Sequence, residues 1–143
     1  MSTKSQLVTV KVTRRFSASA ERVFDAWLDP KSAGKWLFAT PTGEMVKVEI
    51  DARVGGGFVI VDRRDGEDVA HVGQYLEIDR PRRLVFTFGV PKYSDEADRV
   101  EVEITSLEDG CELTLTHALQ PEWEEGARSG WTGILEGLAT TLG

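Results

Sequence analysis

Strict two-residue alternation opens the chain. In residues 7–16, Val8, Val10, Val12 and Phe16 share one face, while Thr9, Lys11, Thr13 and Arg15 share the other. This is the signature of a half-buried strand. The period then changes. Val23, Phe24, Trp27 and Leu28 form one apolar helical face behind Ser17 and Ser19, both candidate N-caps, and Glu21 suits the first turn. Asp29-Pro30 ends that helix and begins a second, with Asp29 as its cap and Pro30 at its first position. The second helix is short and ends near Trp36.

Alternation returns in residues 45–54, with Val46, Val48, Ile50, Ala52 and Val54 read as inward and Lys47, Glu49, Asp51 and Arg53 as outward. Gly55-Gly56-Gly57 makes a turn into a strand over 58–62, and Asp65-Gly66 signals a hairpin. Further strands are expected over 69–79, 84–90, 99–107 and 111–119, separated by Arg80-Pro81, a polar loop over 91–97, and Glu108-Asp109-Gly110. Short strands joined by tight turns imply an antiparallel meander, and the lack of long helices between them argues against a doubly wound parallel sheet.

Residues 122–142 read as one closing helix with an apolar stripe of Ala127, Trp131, Ile134, Leu135, Leu138 and Leu142. A second stripe, Gly126, Gly130, Gly133 and Gly137, spans about 60° at 100° per residue. Interior glycines cost about 0.8–1.0 kcal/mol each against alanine, so four cost roughly 3–4 kcal/mol. Close backbone packing or space kept open beside the helix would offset that. The predicted fold class is α+β: a curved antiparallel sheet wrapped round a long C-terminal helix, with two short helices after the first strand.

Composition adds bounds to this picture. The 143 residues, 41% hydrophobic and 29% charged, suit a single domain (1–143) with its own core. A net charge of −7 makes nucleic acid a poor partner. Arg63–Arg64 and the Arg80, Arg82, Arg83 group sit beside turn signals and read as solvated strand ends. With one cysteine, Cys111, no intramolecular disulfide can form, and no apolar run reaches the ~18 residues of a membrane span. No apolar signal core opens the chain. A soluble, cytoplasmic protein is expected.

Candidate chemistry is sparse. GxSxG, GxGxxG, Walker A and HExxH patterns are missing, and two histidines 46 positions apart with one cysteine make no zinc signature. Neither a metal nor a cofactor is expected, and no catalytic residue is assigned. His117 continues the inward face of Leu113 and Leu115, where an imidazole could contact a ligand, carry a proton or bond a structural neighbour. His71 shares a face with Gly73 and Tyr75, and the pattern leaves open whether that face is the inner one. Glu101 and Glu103 read as a solvated outer face, Trp27 as core and Trp123 as a packing anchor.

Several stretches carry a family resemblance: Arg15-Phe16, Ser17-Ala18-Ser19-Ala20-Glu21, Val23-Phe24, Ala26-Trp27, Asp29-Pro30 and Trp36-Leu37, then Asp51-x-Arg53-x-Gly55-Gly56. Glu77-Ile78, residues 81–86 (PRRLVF), residues 113–117 (LTLTH) and Gly130-Trp131 follow in order. Together they resemble the START-like helix-grip superfamily, in the branch similar to the C-terminal domain of the Hsp90 ATPase activator, from about residue 8 onward. The resemblance implies a cavity between sheet and closing helix, often suited to small apolar molecules, and no single chemistry. The candidate lining is Trp36, Phe58, Phe86, Phe88, His117, Trp131 and Leu135, with Trp36 on the helix pair that would cap one end.

Non-catalytic binding of a small apolar molecule is the leading functional expectation. The alternatives are an enzyme of the polyketide cyclase or aromatase type using His117, and a chaperone-associated module. The eukaryotic activator carries an additional N-terminal domain for which this chain has no room, which counts against the last. A homodimer through an exposed sheet edge is compatible with the pattern.

Overall fold

The computed structural model describes residues 7–37, 44–92 and 97–142. The opening alternation forms β1 (Val8–Phe16), and the two short helices follow as α1 (Ala20–Leu28) and α2 (Pro30–Trp36). Their ends are set by the expected side chains. Arg22 N–H donates to Ser19 Oγ at 3.2 Å, and Lys31 N–H donates to Asp29 Oδ1 at 3.0 Å. Each bond satisfies a first-turn amide that has no intrahelical acceptor.

Six strands follow: β2 (Glu44–Ile50), β3 (Gly57–Arg64), β4 (Glu67–Asp79), β5 (Arg83–Phe88), β6 (Asp98–Leu107) and β7 (Gly110–Leu119). A 3-10 turn over Pro121–Trp123 leads into α3 (Glu124–Leu142). All seven strands join one antiparallel sheet in the order β1-β7-β6-β5-β4-β3-β2. Strands β2 to β7 are a meander, and β1 returns to pair with β7 from Val8↔Leu119 to Phe16↔Cys111. Positive φ at Asp65 (51°) and Gly66 (80°) builds the tight β3–β4 hairpin.

Two sequence expectations fail near β2. A register shift between Met45 and Lys47 turns Val46 outward and lets Met45 pack against the core. The extra residue of a bulge reverses the facing of what precedes it. The strand also stops at Ile50, so Ala52 and Val54 lie in the exposed turn, Val54 being 63% exposed.

The inner face of the sheet packs on α1, α2 and α3. Trp27 lies at the centre, with Trp36 edge-on at 4.8 Å between ring centroids, Phe86 at 6.0 Å and Trp131 at 6.3 Å. Leu113, Leu115, Leu135 and Leu138 fill the space around them. At Gly73 a Cβ would collide with Thr87 O and the Phe58 ring, so β4 and β5 approach there only because the side chain is missing. On the outer face Arg83 donates to Glu77 (3.1 Å), Glu101 (3.0 Å) and Glu103 (2.8 Å), joining β4, β5 and β6. Arg63 pairs with Asp68, Arg64 with Asp62 and Arg80 with Asp25, so these arginines and Glu101 and Glu103 are paired, not simply solvated. No described helix is long and apolar enough to cross a membrane.

Candidate functional site

A cavity of about 210 Å3 lies where the ends of β5, β6 and β7 meet the start of α3. Phe88, Gly89 and Val90 form one wall, while Asp98, His117 and Leu119 form the second. Gln120, Trp123, Gly126 and Ala127 close it from the helix side. The walls are mostly apolar, and Asp98 is the one charged side chain among the described lining residues. This is the end of α3 remote from the Trp36–Gly137 contact. The cavity is therefore not capped by the helix pair.

His117 is 2% exposed, yet both its ring nitrogens are bonded. Trp131 Nε1–H donates to Nδ1 at 2.9 Å. An indole nitrogen can only donate, so Nδ1 carries no hydrogen. The proton is on Nε2, which donates to Asp98 Oδ2 at 2.9 Å. The chain Trp131–His117–Asp98 thus runs from the core to the cavity wall and holds the carboxylate in place. With both nitrogens engaged, His117 offers the cavity its ring, not a free donor or acceptor.

Behind this wall stands the second histidine. His71 faces inward, is buried, and stacks on Phe88 at 6.1 Å with planes 10° apart. Phe88 also meets His117 edge-on at 6.0 Å. Arg64 Nη2 donates to His71 Nε2 at 3.3 Å, so Nδ1–H donates to Ile60 O at 3.2 Å. Arg64 also donates to buried Asp62 at 2.7 Å. Burial pushes the His71 pKa below its ordinary value; the Ile60 carbonyl opposes that shift and the Arg64 charge adds to it. His71 is not among the residues lining the cavity.

Of the seven residues expected to contact a ligand, Phe88 and His117 line the cavity. Trp131 sits one layer behind, holding His117. Trp36, Phe58, Phe86 and Leu135 are packed in the hydrophobic core, Trp36 being 2% exposed. Asp98, Gln120, Trp123 and Gly126 were not singled out as ligand contacts from the sequence. Asp98 could have been: it lies two residues before Val100 and continues the inward row of Val100, Val102 and Ile104. Trp123, expected as a packing anchor, is 52% exposed on the rim. Among the described residues no group of three or more His, Cys, Asp or Glu could hold a metal ion.

Residues 17–143 match the family model for the Activator of Hsp90 ATPase homolog 1-like protein. The chain belongs to this family. Solved structures share its helix-grip fold over almost the full length. A protein from Chromobacterium violaceum is 29% identical, with a TM-score of 0.84 over 92% of this chain and 94% of that one. One from Rhizobium loti is 28% identical, with a TM-score of 0.79 over 94% and 96%. The AHSA1-like protein from Aeromonas hydrophila has a TM-score of 0.83 over 94% and 92%, and at 21% identity it shares the fold alone. No curated protein matches the chain.

Proposed function

We propose that the protein binds a small, largely apolar molecule in the cavity between the ends of β5–β7 and the start of α3. The observation that carries this reading is the cavity itself: apolar walls, the rings of Phe88 and Trp123, and one positioned carboxylate at the edge of the core. Its 210 Å3 falls below the roughly 300–1,000 Å3 of drug-sized sites. An apolar cavity of ~150 Å3 takes benzene, so this one suits a single ring with a short arm.

A panel of one-ring compounds tested by thermal shift and native mass spectrometry checks the proposal. Ligand at 100 times Kd adds about 2.7 kcal/mol, which raises Tm by roughly 5–11 °C for a chain of this size. Gly126→Leu, whose Cβ meets nothing within 4 Å, should fill the cavity and abolish the shift while the fold persists. If no compound gives saturable binding, the reading fails. Proton transfer by His117 draws less support, because Trp131 and Asp98 occupy both ring nitrogens. The chaperone-associated reading rests on the family name and on no feature described above.

A further inference from the structure

Resting on that binding reading, we infer that the ligand is an organic cation, an amine on a one-ring apolar body, and that Asp98 holds its charge. Four observations converge. Asp98 lines the cavity with a carboxylate one-third exposed, and among the described residues it accepts one hydrogen bond, on Oδ2 from His117. Its second oxygen keeps its acceptor capacity. His117 cannot compete for the ligand's head group: Trp131 pins Nδ1 as an acceptor, and the single ring N–H is committed to Asp98. His117 is thus a positioning residue.

The remaining lining suits a cation. It includes no lysine or arginine among the described residues, and Gln120 is neutral. Phe88 and Trp123 offer aromatic surface of the kind that attracts ammonium groups, while Val90, Leu119 and Ala127 suit the apolar body. Glu124 and Glu125 open α3 directly after Trp123 and oppose the positive end of the helix dipole, Glu124 being itself paired with Arg128 at 3.6 Å. A ligand without a donor would cover the Asp98 carboxylate without replacing the water it loses, a hydroxyl would supply one ordinary hydrogen bond, and an ammonium group forms the stronger charge-assisted bond. A carboxylate ligand would meet Asp98 as a like charge.

Four compounds of matched shape test this: 2-phenylethylamine, 2-phenylethanol, ethylbenzene and phenylacetate. Affinities are measured by calorimetry near neutral pH on the wild type and on Asp98→Asn. The amine should bind at least tenfold more tightly than the alcohol or hydrocarbon, with the acid weakest. Asp98→Asn should erase the amine's advantage, with ethylbenzene binding at least as tightly as to the wild type because no charge is then covered. In the wild type, added salt should weaken the amine and spare ethylbenzene, a readout that stands even if the variant does not fold. Equal binding of all four, or preference for the acid, overturns the inference while leaving the cavity reading intact. Binding by none of the four overturns the amine inference, and failure of the wider one-ring panel as well overturns the cavity reading.

Discussion

His71 and His117 show how much a residue's meaning depends on its partners. Both continue apolar rows, both are buried, and each has its tautomer set by a group that can only donate: Arg64 for His71, Trp131 for His117. His71 carries a pH consequence. Its folded pKa lies below the ordinary 6.5, so as pH falls through that value the unfolded chain takes up a proton that the native state resists. This contribution to stability is complete above about pH 6.5 and is lost as pH drops towards the depressed folded pKa. Its slope is at most about 1.4 kcal/mol per pH unit. His71→Asn, whose amide can keep a bond to Ile60 O, should flatten that slope in urea unfolding compared between about pH 7.5 and 5. An equal loss in variant and wild type would show that His71 is not its source. That the His117 row faces inward was legible from alternation, whereas the facing of the His71 row stayed open until the fold showed it buried. The bonds to Arg64, Trp131 and Asp98 were not, because side chains on separate elements meet only once register and helix placement are set.

At the scale of the element, caps and turns were the most legible features. Ser19, Asp29-Pro30 and Asp65-Gly66 each act through atoms within a few residues, so their geometry is local. The glycine stripe of α3 needed tertiary context. Cβ atoms at Gly126, Gly130 and Gly133 would meet nothing within 4 Å, while one at Gly137 would touch Trp36 at 3.5 Å. Gly126, Gly130 and Gly133 are exposed and only Gly126 borders the cavity, while 3.5 Å at Gly137 is ordinary van der Waals contact, so close packing demands glycine at none of the four. Gly133→Ala should therefore raise stability by about 0.8–1.0 kcal/mol, read as a higher urea midpoint with an unchanged slope. A lower midpoint would mean that the position is not free. Gly126→Ala should stabilise too, yet weaken ligand binding, because that glycine lines the cavity. The β2 bulge illustrates the opposite limit: one extra residue reversed the expected facing of Val46, and residue type does not announce a bulge.

For the whole molecule, the pairing of β1 with β7 matters most. It brings Val8 beside Leu119, and the sheet is complete only when nearly the entire chain has been brought together. Loop closure of that length is costly before any contact rewards it. Refolding by stopped-flow should accordingly fall in the millisecond-to-second range expected of non-local β topologies, and a sub-millisecond phase restoring the full native signal would contradict it. The order of strands and helices, the inward faces outside β2 and the His71 row, and the likeness to the helix-grip family were carried by the sequence alone, since periods of two and 3.6 residues and capping chemistry are local. Only the tertiary structure decided where along α3 an apolar cavity opens. It sank Trp36 into the core against Trp27, moved the cavity to the opposite end of the closing helix, and joined Trp131, His117 and Asp98 into one bonded line. The reason is geometric: periodicity tells a side chain which face it takes, whereas where a long helix leaves a gap over a curved sheet depends on the packed volumes of all the faces at once.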